Sequence, residues 1–304
     1  MRAVRIHEKA GPEALVVEEA PYPHTAENDV VIRVHAASFT PGELNWPSTW
    51  KDRAGRDRGP VIPGHEVSGE VAELGAGTTG LTLGQRAFGL TDWARDGTLA
   101  EYVAVEARNL APLPASIDHI RGAALPMAGL TAWQALFDHA GLRPGQTVLV
   151  HGAGGAVGDL AMQLARQAGA RVVGTGRERD RAAVLEGGAE RFASVDDERF
   201  EDVAGQVDVV LDTIGGEVLD RSAAVVRPGG TLVSVTAPPR VRPPGGRALY
   251  FVVEPNRGQL ADLARRVQQG ELTPKVGAVR TLAETRDAFG RKQGVPGKTI
   301  IRIA

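Results

Sequence analysis

Residues 147–158 read TVLVHGAGGAVG, and this stretch constrains the chain more than any other. Val148, Leu149 and Val150 form a short apolar run without charge, which predicts a strand buried on both faces. Glycines follow at 152, 154, 155 and 158. Val157, Leu160, Ala161, Leu164, Ala165 and Ala168 then recur at the three-and-four spacing of an amphipathic helix. The order is buried strand, tight glycine turn, helix.

Glycine serves two purposes at such a turn. Without a Cβ, the backbone can approach a pyrophosphate closely, and the helix can pack tightly on the strand. The helix N-terminus then offers unpaired N–H groups to an anion. Gly152, Gly155 and Gly158 make a shifted form of the GxGxxG spacing, with Gly154 extra. A glycine turn alone is also compatible with binding nothing. The strand before it and the helix after it favour a dinucleotide.

At 304 residues the chain is long enough for two domains, at about 150 residues each. Residues 1–115 read as short strands between turns: RAVRI (2–6), ALVVE (14–18), VVIRVH (30–35), VSGEV (67–71) and LAEYVAV (99–105). That pattern predicts a barrel-like β domain. Residues 38–63 are irregular, and their Trp46 and Trp50 either pack the loop onto the strands or wall a substrate pocket. From Ser116, placed as a helix cap, the period changes. A helix runs through Ala123 and Ala124 to an interruption at Pro126, and helical character resumes over 131–139 until Gly141. Strands at 148–150, 171–175, 208–212 and 231–235 then alternate with helical segments, which predicts a doubly wound parallel sheet. The proline-rich loop 238–246 follows the last of these. Leu260, Leu263, Ala264 and Val267 mark a further helix, and KTIIRI (298–303) a strand returning to the first domain.

Composition excludes several functions. A net charge of −2 gives no electrostatic footprint for nucleic acid or an anionic membrane. No apolar run approaches the ~20 residues that span a bilayer. The opening residues, MRAVRIHEKAG, show no secretory h-region, so a cytoplasmic location is expected. The absence of cysteine removes disulfides, thiol catalysis and thiolate metal sites. No GxSxG appears, which counts against a serine hydrolase.

Several stretches, taken together and in order, resemble the medium-chain dehydrogenase/reductase superfamily in its zinc-independent quinone oxidoreductase and enoyl reductase branch. They are GHEVSGEV (64–71), GLTAW (129–133), the glycine turn, DTIGG (212–216) and the closing Gly297-Lys298. The resemblance implies an α/β protein: a GroES-like β-barrel domain (1–117 and 270–304) and a Rossmann doubly wound parallel-sheet domain that binds NADP (118–269). It implies NADPH as cofactor, a small carbonyl or quinone substrate, and a homodimer. The zinc branch takes its metal from an early Cys, the His of GHE and a later ligand. Those positions correspond here to Thr40, His65 and a place near Met127, so no metal is expected and His65 is read as structural.

The cofactor choice is read from the second strand of the sheet. It ends GRERDR (176–181), and no acid closes it where an NAD site places one for the ribose hydroxyls. Gly176, Arg177 and Arg181 sit instead where a 2′-phosphate would lie, and arginine binds phosphate through a fork of donors. A solvated helix start is the bland alternative, with Glu178 able to turn inward. By resemblance, Gly154, Gly155, Ala156 and Val157 face the pyrophosphate and nicotinamide, and Thr131 the nicotinamide ribose phosphate. Thr213, Val235 and Thr236 line the dinucleotide groove, and Phe251 and Val252 approach the nicotinamide end. Lys298 is a weaker candidate, since a lysine at a strand start is commonly surface.

The early loop of the family corresponds to Thr40, Glu43 and Asn45, the candidate catalytic residues. Thr40 and Asn45 could donate to a substrate oxygen, whereas Glu43 could simply pin the loop. The family's loop tyrosine is missing, since Tyr22, Tyr102 and Tyr250 all lie elsewhere. The expected activity is an NADPH-dependent reductase of quinones or α,β-unsaturated carbonyls. The alternatives are a tailoring enoyl or ketone reductase of a biosynthetic pathway, and a weakly catalytic NADPH-binding sensor or structural protein.

Overall fold

The computed structural model describes residues 1–290 and 296–304. In chain order its strands are β1 (Arg2–Arg5), β2 (Val16–Glu19), β3 (Asp29–Ser38), β4 (Glu66–Leu74), β5 (Arg86–Leu90), β6 (Tyr102–Glu106) and β7 (Leu110–Pro112). They continue with β8 (Thr147–His151), β9 (Arg171–Gly176), β10 (Arg191–Ser194), β11 (Val207–Asp212), β12 (Val226–Ser234), β13 (Arg247–Tyr250), β14 (Val276–Thr281) and β15 (Lys298–Arg302). The chain divides into two compact units, Met1–Met127 with Pro255–Glu271 and Lys275–Ala304, and Ala128–Glu254 with Leu272–Pro274. The expected domain limits lay at 117/118 and 269/270. Contacts group residues 118–127 and the helix Arg257–Gln268 with the first unit instead.

The first unit is a GroES-like β domain. Its seven-stranded sheet runs β14-β15-β3-β4-β5-β7, with β6 also paired to β3, and β1 and β2 form a separate ribbon. β15 pairs antiparallel with β3, so the closing strand returns to this unit as the sequence predicts. The inward residues of these strands, among them Val30, Ile32, Val34, Val67, Val71, Val103 and Ile301, bury together as one core. Asp118, rather than Ser116, caps the helix His119–Ala124, because its carboxylate accepts from Arg121 N at 2.8 Å. Pro126 does not simply interrupt helical structure. It opens the next helix, Pro126–Trp133, where its missing N–H costs nothing.

The second unit is a Rossmann sheet of six parallel strands in the order β10-β9-β8-β11-β12-β13. Counted from β8, this is 3-2-1-4-5-6, the doubly wound order whose ligands bind beyond the carboxyl strand ends. All five residues of β8 are buried, as the uncharged run requires. The final register across the strand ends is polar. Thr175 pairs with His151, His151 with Asp212, and Asp212 with Ser234, and all four are buried. Among the described residues, no helix is long and apolar enough to cross a membrane.

Candidate active site

Two constellations hold the chemistry-bearing residues, one in each unit. In the second unit, β8 ends at His151 and the chain turns through Gly152 at φ +76°, a left-handed conformation that favours glycine. The helix Ala156–Gln167 begins immediately, and a Cβ on Gly158 would meet Gly152 O at 2.2 Å. The close helix–strand packing therefore depends on glycine there. No side chain caps this helix, so the N–H groups at Ala156 and Val157 emerge beside Gly154 and Gly155 with the positive end of the helix dipole.

The polar row beneath the turn is internally satisfied. Ser222 donates its proton to Val218 O at 2.6 Å, so His151 Nε2–H donates to Ser222 Oγ at 3.0 Å. Thr175 Oγ1 then donates to His151 Nδ1 at 3.0 Å. Burial holds His151 down to about 4, so it is neutral. Thr213 donates to His151 O at 2.8 Å. The carboxylate of Asp212 accepts from Gly215 N, Ser234 Oγ and Thr236 Oγ1 at 2.9–3.1 Å. The protons of Thr213 and Thr236 are thus committed to joining strand ends, and Val235 follows them half-buried. Thr131 is buried in its helix. Phe251 is buried against His139, ring centroids 4.3 Å apart, while Val252 is exposed.

The end of β9 separates two arginines that the sequence treats alike. Arg177 is exposed beyond half-buried Gly176, and its guanidinium makes no hydrogen bond or ion pair among the described residues. Arg181 is committed to protein instead. Its Nε donates to Glu178 at 2.7 Å, its Nη2 to Glu198 at 2.6 Å and its Nη1 to Phe192 O at 3.3 Å. Its charge also lies 4.9 Å over the Phe192 ring. These partners hold Arg181 well above its ordinary pKa and leave no free fork for a phosphate. Glu178 faces Arg181 rather than the glycine turn. An acid that the sequence reading passed over, Asp180, occupies that place: a Cβ on Gly154 would lie 2.8 Å from its Cγ. Its spacing of 22 residues from Gly158 was the available signal.

In the first unit the loop after β3 is built around two buried carboxylates. Glu43 accepts from Thr40 N at 2.8 Å and from Gly64 N at 2.6 Å. Burial pushes it up to about 7 despite those two donors. Glu66 is ion-paired with Lys298, accepts from Ser38 Oγ, and accepts from Met127 N at 3.0 Å. Lys298 Nζ also donates to Phe39 O at 3.2 Å. Lys298, only 8% exposed, is therefore a buried partner rather than a surface residue.

Thr40 Oγ1 is buried with no hydrogen-bond partner among the described residues, whereas Asn45 is exposed. The two loop tryptophans part company. Trp50 is buried, with Nε1 donating to Leu44 O at 2.8 Å, so it packs the loop. Trp46 is half-exposed, its ring near-parallel to His65 at 6.0 Å. Trp93, absent from the sequence-based candidates, meets His65 edge-on at 4.9 Å. His65 Nδ1 is hydrogen-bonded with Thr91 Oγ1 at 3.1 Å, and burial first, then the Arg58 charge, lowers its pKa to about 3. Elsewhere His35, Glu70 and His119 bring ligand-type atoms within 4.8 Å of one another. Arg86 donates to His119 there and Arg33 pairs with Glu70, so guanidinium groups already supply the positive charge.

Residues 26–115 match the family model of the alcohol dehydrogenase GroES-like domain, and residues 156–250 that of the zinc-binding dehydrogenase. Quinone oxidoreductase of Rattus norvegicus is 33% identical over 77% of this chain and 73% of its own length. A 2-methylene-furan-3-one reductase of Solanum lycopersicum is 34% identical over 84% of this chain, which spans 65% of that relative. Among solved structures, quinone oxidoreductase from Coxiella burnetii superposes with a TM-score of 0.92 at 28% identity, over 100% of this chain and 99% of that one.

Proposed function

Since the chain belongs to the medium-chain dehydrogenase/reductase family, we propose that it is an NADPH-dependent oxidoreductase that reduces a quinone or an α,β-unsaturated carbonyl without zinc. One observation carries the cofactor half: an uncapped glycine turn is followed, at the end of the next strand, by an arginine whose guanidinium has no hydrogen-bond or ion-pair partner among the described residues. The cradle fits a dinucleotide, because glycine at 158 seats the helix N-terminus tightly on the strand end and the leading N–H groups, with no side-chain cap, suit a pyrophosphate. Gly154, Gly155, Ala156 and Val157 would hold it, with Arg177 on the 2′-phosphate. Bound NADPH would supply the hydride.

The remaining work falls to the chain. Thr40 offers to a substrate oxygen a hydroxyl that has no hydrogen-bond partner among the described residues. Glu43 holds the Thr40 and Gly64 backbones, and so acts as a positioning residue. His65 is neutral at pH 7 and forms a wall with Trp46 and Trp93 rather than acting as a proton source. A catalytic zinc does not fit. It needs several protein ligands, and of Thr40, His65 and Met127 only His65 is of ligand type.

The substrate class follows the names of the rat and tomato relatives, a quinone oxidoreductase and a 2-methylene-furan-3-one reductase. We place the protein in the cytoplasm as a homodimer. Edge strand β13, with exposed Tyr250 and Val252 at its end, supports a dimer made through the Rossmann sheets. Light scattering on the purified chain tests the assembly. Oxidation of NADPH and NADH, followed at 340 nm with a panel of quinones and enones, tests the activity. Turnover with NADPH and at least one of these acceptors is expected, and tight nucleotide binding without turnover would sink the reading.

A further inference from the structure

β9 ends at Gly176, and the short turn Glu178–Asp180 then carries the chain back over the sheet edge. This brings the Asp180 carboxylate against the glycine turn. A Cβ on Gly154 would lie 3.0 Å from its Oδ2, and one on Gly176 3.6 Å from the same oxygen. The side chain is only 15% exposed, and among the described residues its sole ion-pair partner is Arg179 Nε at 4.0 Å. No hydrogen-bond donor among the described residues reaches it.

The carboxylate keeps a narrow opening to solvent and has no protein donor among the described residues, which leaves it able to accept from a ligand. Its neighbours in this sheet are the turn after the first strand and the end of the second. In doubly wound folds that is the place of the adenosine ribose, where an acid accepts from the ribose hydroxyls. Arg177, three residues earlier, carries the opposite preference, since a guanidinium favours a 2′-phosphate. Like charge disfavours the same phosphate beside Asp180.

We infer that Asp180 accepts a hydrogen bond from the adenosine ribose and is a specificity-determining residue opposing Arg177, so that the protein binds both NADPH and NADH. The inference rests on the dinucleotide reading above and goes beyond it. The two groups set a ratio: Arg177 raises affinity for the phosphorylated nucleotide, and Asp180 lowers it while rewarding the free hydroxyl.

Calorimetric titration of the full chain with NADP+ and with NAD+ tests this without recourse to turnover. Wild-type protein should bind both. Asp180→Asn should raise the preference for NADP+ by about tenfold, tightening NADP+ and weakening NAD+, as expected for a charged hydrogen bond lost on one side and a repulsion removed on the other. Asp180→Ser should act in the same direction, and Arg177→Ala in the opposite one. An unchanged ratio in both Asp180 variants, with wild-type binding intact, would overturn the inference alone. Failure of wild-type protein to bind either nucleotide would overturn the dinucleotide reading and the inference with it.

Discussion

The carboxylate of Glu43 accepts from the backbone N–H of Gly64 at 2.6 Å, across 21 residues of sequence. Its other oxygen accepts from Thr40 N at 2.8 Å. One fully buried side chain therefore ties the loop that bears Thr40 to the strand entry that bears His65. A buried acceptor with two backbone donors is expensive to replace, because each N–H would be left unpaired.

The raised value of Glu43 predicts a pH dependence with a definite sign. Its folded pKa of about 7 lies above the ordinary 4.5, so between those values the folded state holds the extra proton. Stability contributed by this group is fully present below 4.5 and declines as pH rises through 7. Urea denaturation of wild type and Glu43→Gln at pH 5.5 and 7.5 should show wild type losing about 2 kcal/mol relative to the variant at the higher pH. Parallel behaviour of the two proteins would contradict the assignment.

Lys298 and Glu66 form a buried ion pair. Lys298→Met leaves the buried Glu66 carboxyl without its cationic partner, and should cost about 3–5 kcal/mol. The double variant Lys298→Met/Glu66→Gln should recover a large part of that loss. A double-mutant cycle by chemical denaturation measures the coupling, and additive losses would show that the two groups do not depend on each other.

Arg177 and Arg181 should respond differently to truncation. Arg177→Ala should raise the KM for NADPH much more than that for NADH and leave the melting temperature unchanged. Arg181→Ala removes the contacts to Glu178, Glu198 and Phe192, so it should lower the melting temperature and leave the cofactor ratio near wild type. Equal effects of Arg177→Ala on the two cofactors would refute its role.

Trp46 presents a half-exposed ring above neutral His65. Trp46→Ala should raise the KM of an aromatic quinone about fivefold, the scale of one lost aromatic contact, without changing the KM of NADPH. Trp50→Ala should chiefly destabilise the fold, because Trp50 is buried and donates to Leu44 O. The same KM change from both variants would remove the distinction between them.

Periodicity and punctuation made the frame legible. An uncharged run of Val and Leu suits a buried strand, and the alternation from 147 onward pointed to a doubly wound parallel sheet, whereas the strand order and the strands β10 and β13 emerge only from the structure. The site was legible where a residue's role is local, as at the glycine turn. It was not legible where the role depends on a partner distant in sequence. Lys298 and Glu66 are 232 positions apart, and nothing near either one announces the pair. Arg177 and Arg181 look alike until Glu198 is folded against one of them. Asp180 was hidden for a related reason: the strand does end without an acid, and a short turn brings one back.

The most direct measurement is NADPH oxidation by purified wild-type protein with a quinone and an enone, run with and without a strong zinc chelator. Turnover of at least one acceptor, unchanged by the chelator, is the predicted result. Activity abolished by the chelator and restored by zinc, or nucleotide binding with no turnover of either acceptor, would contradict it.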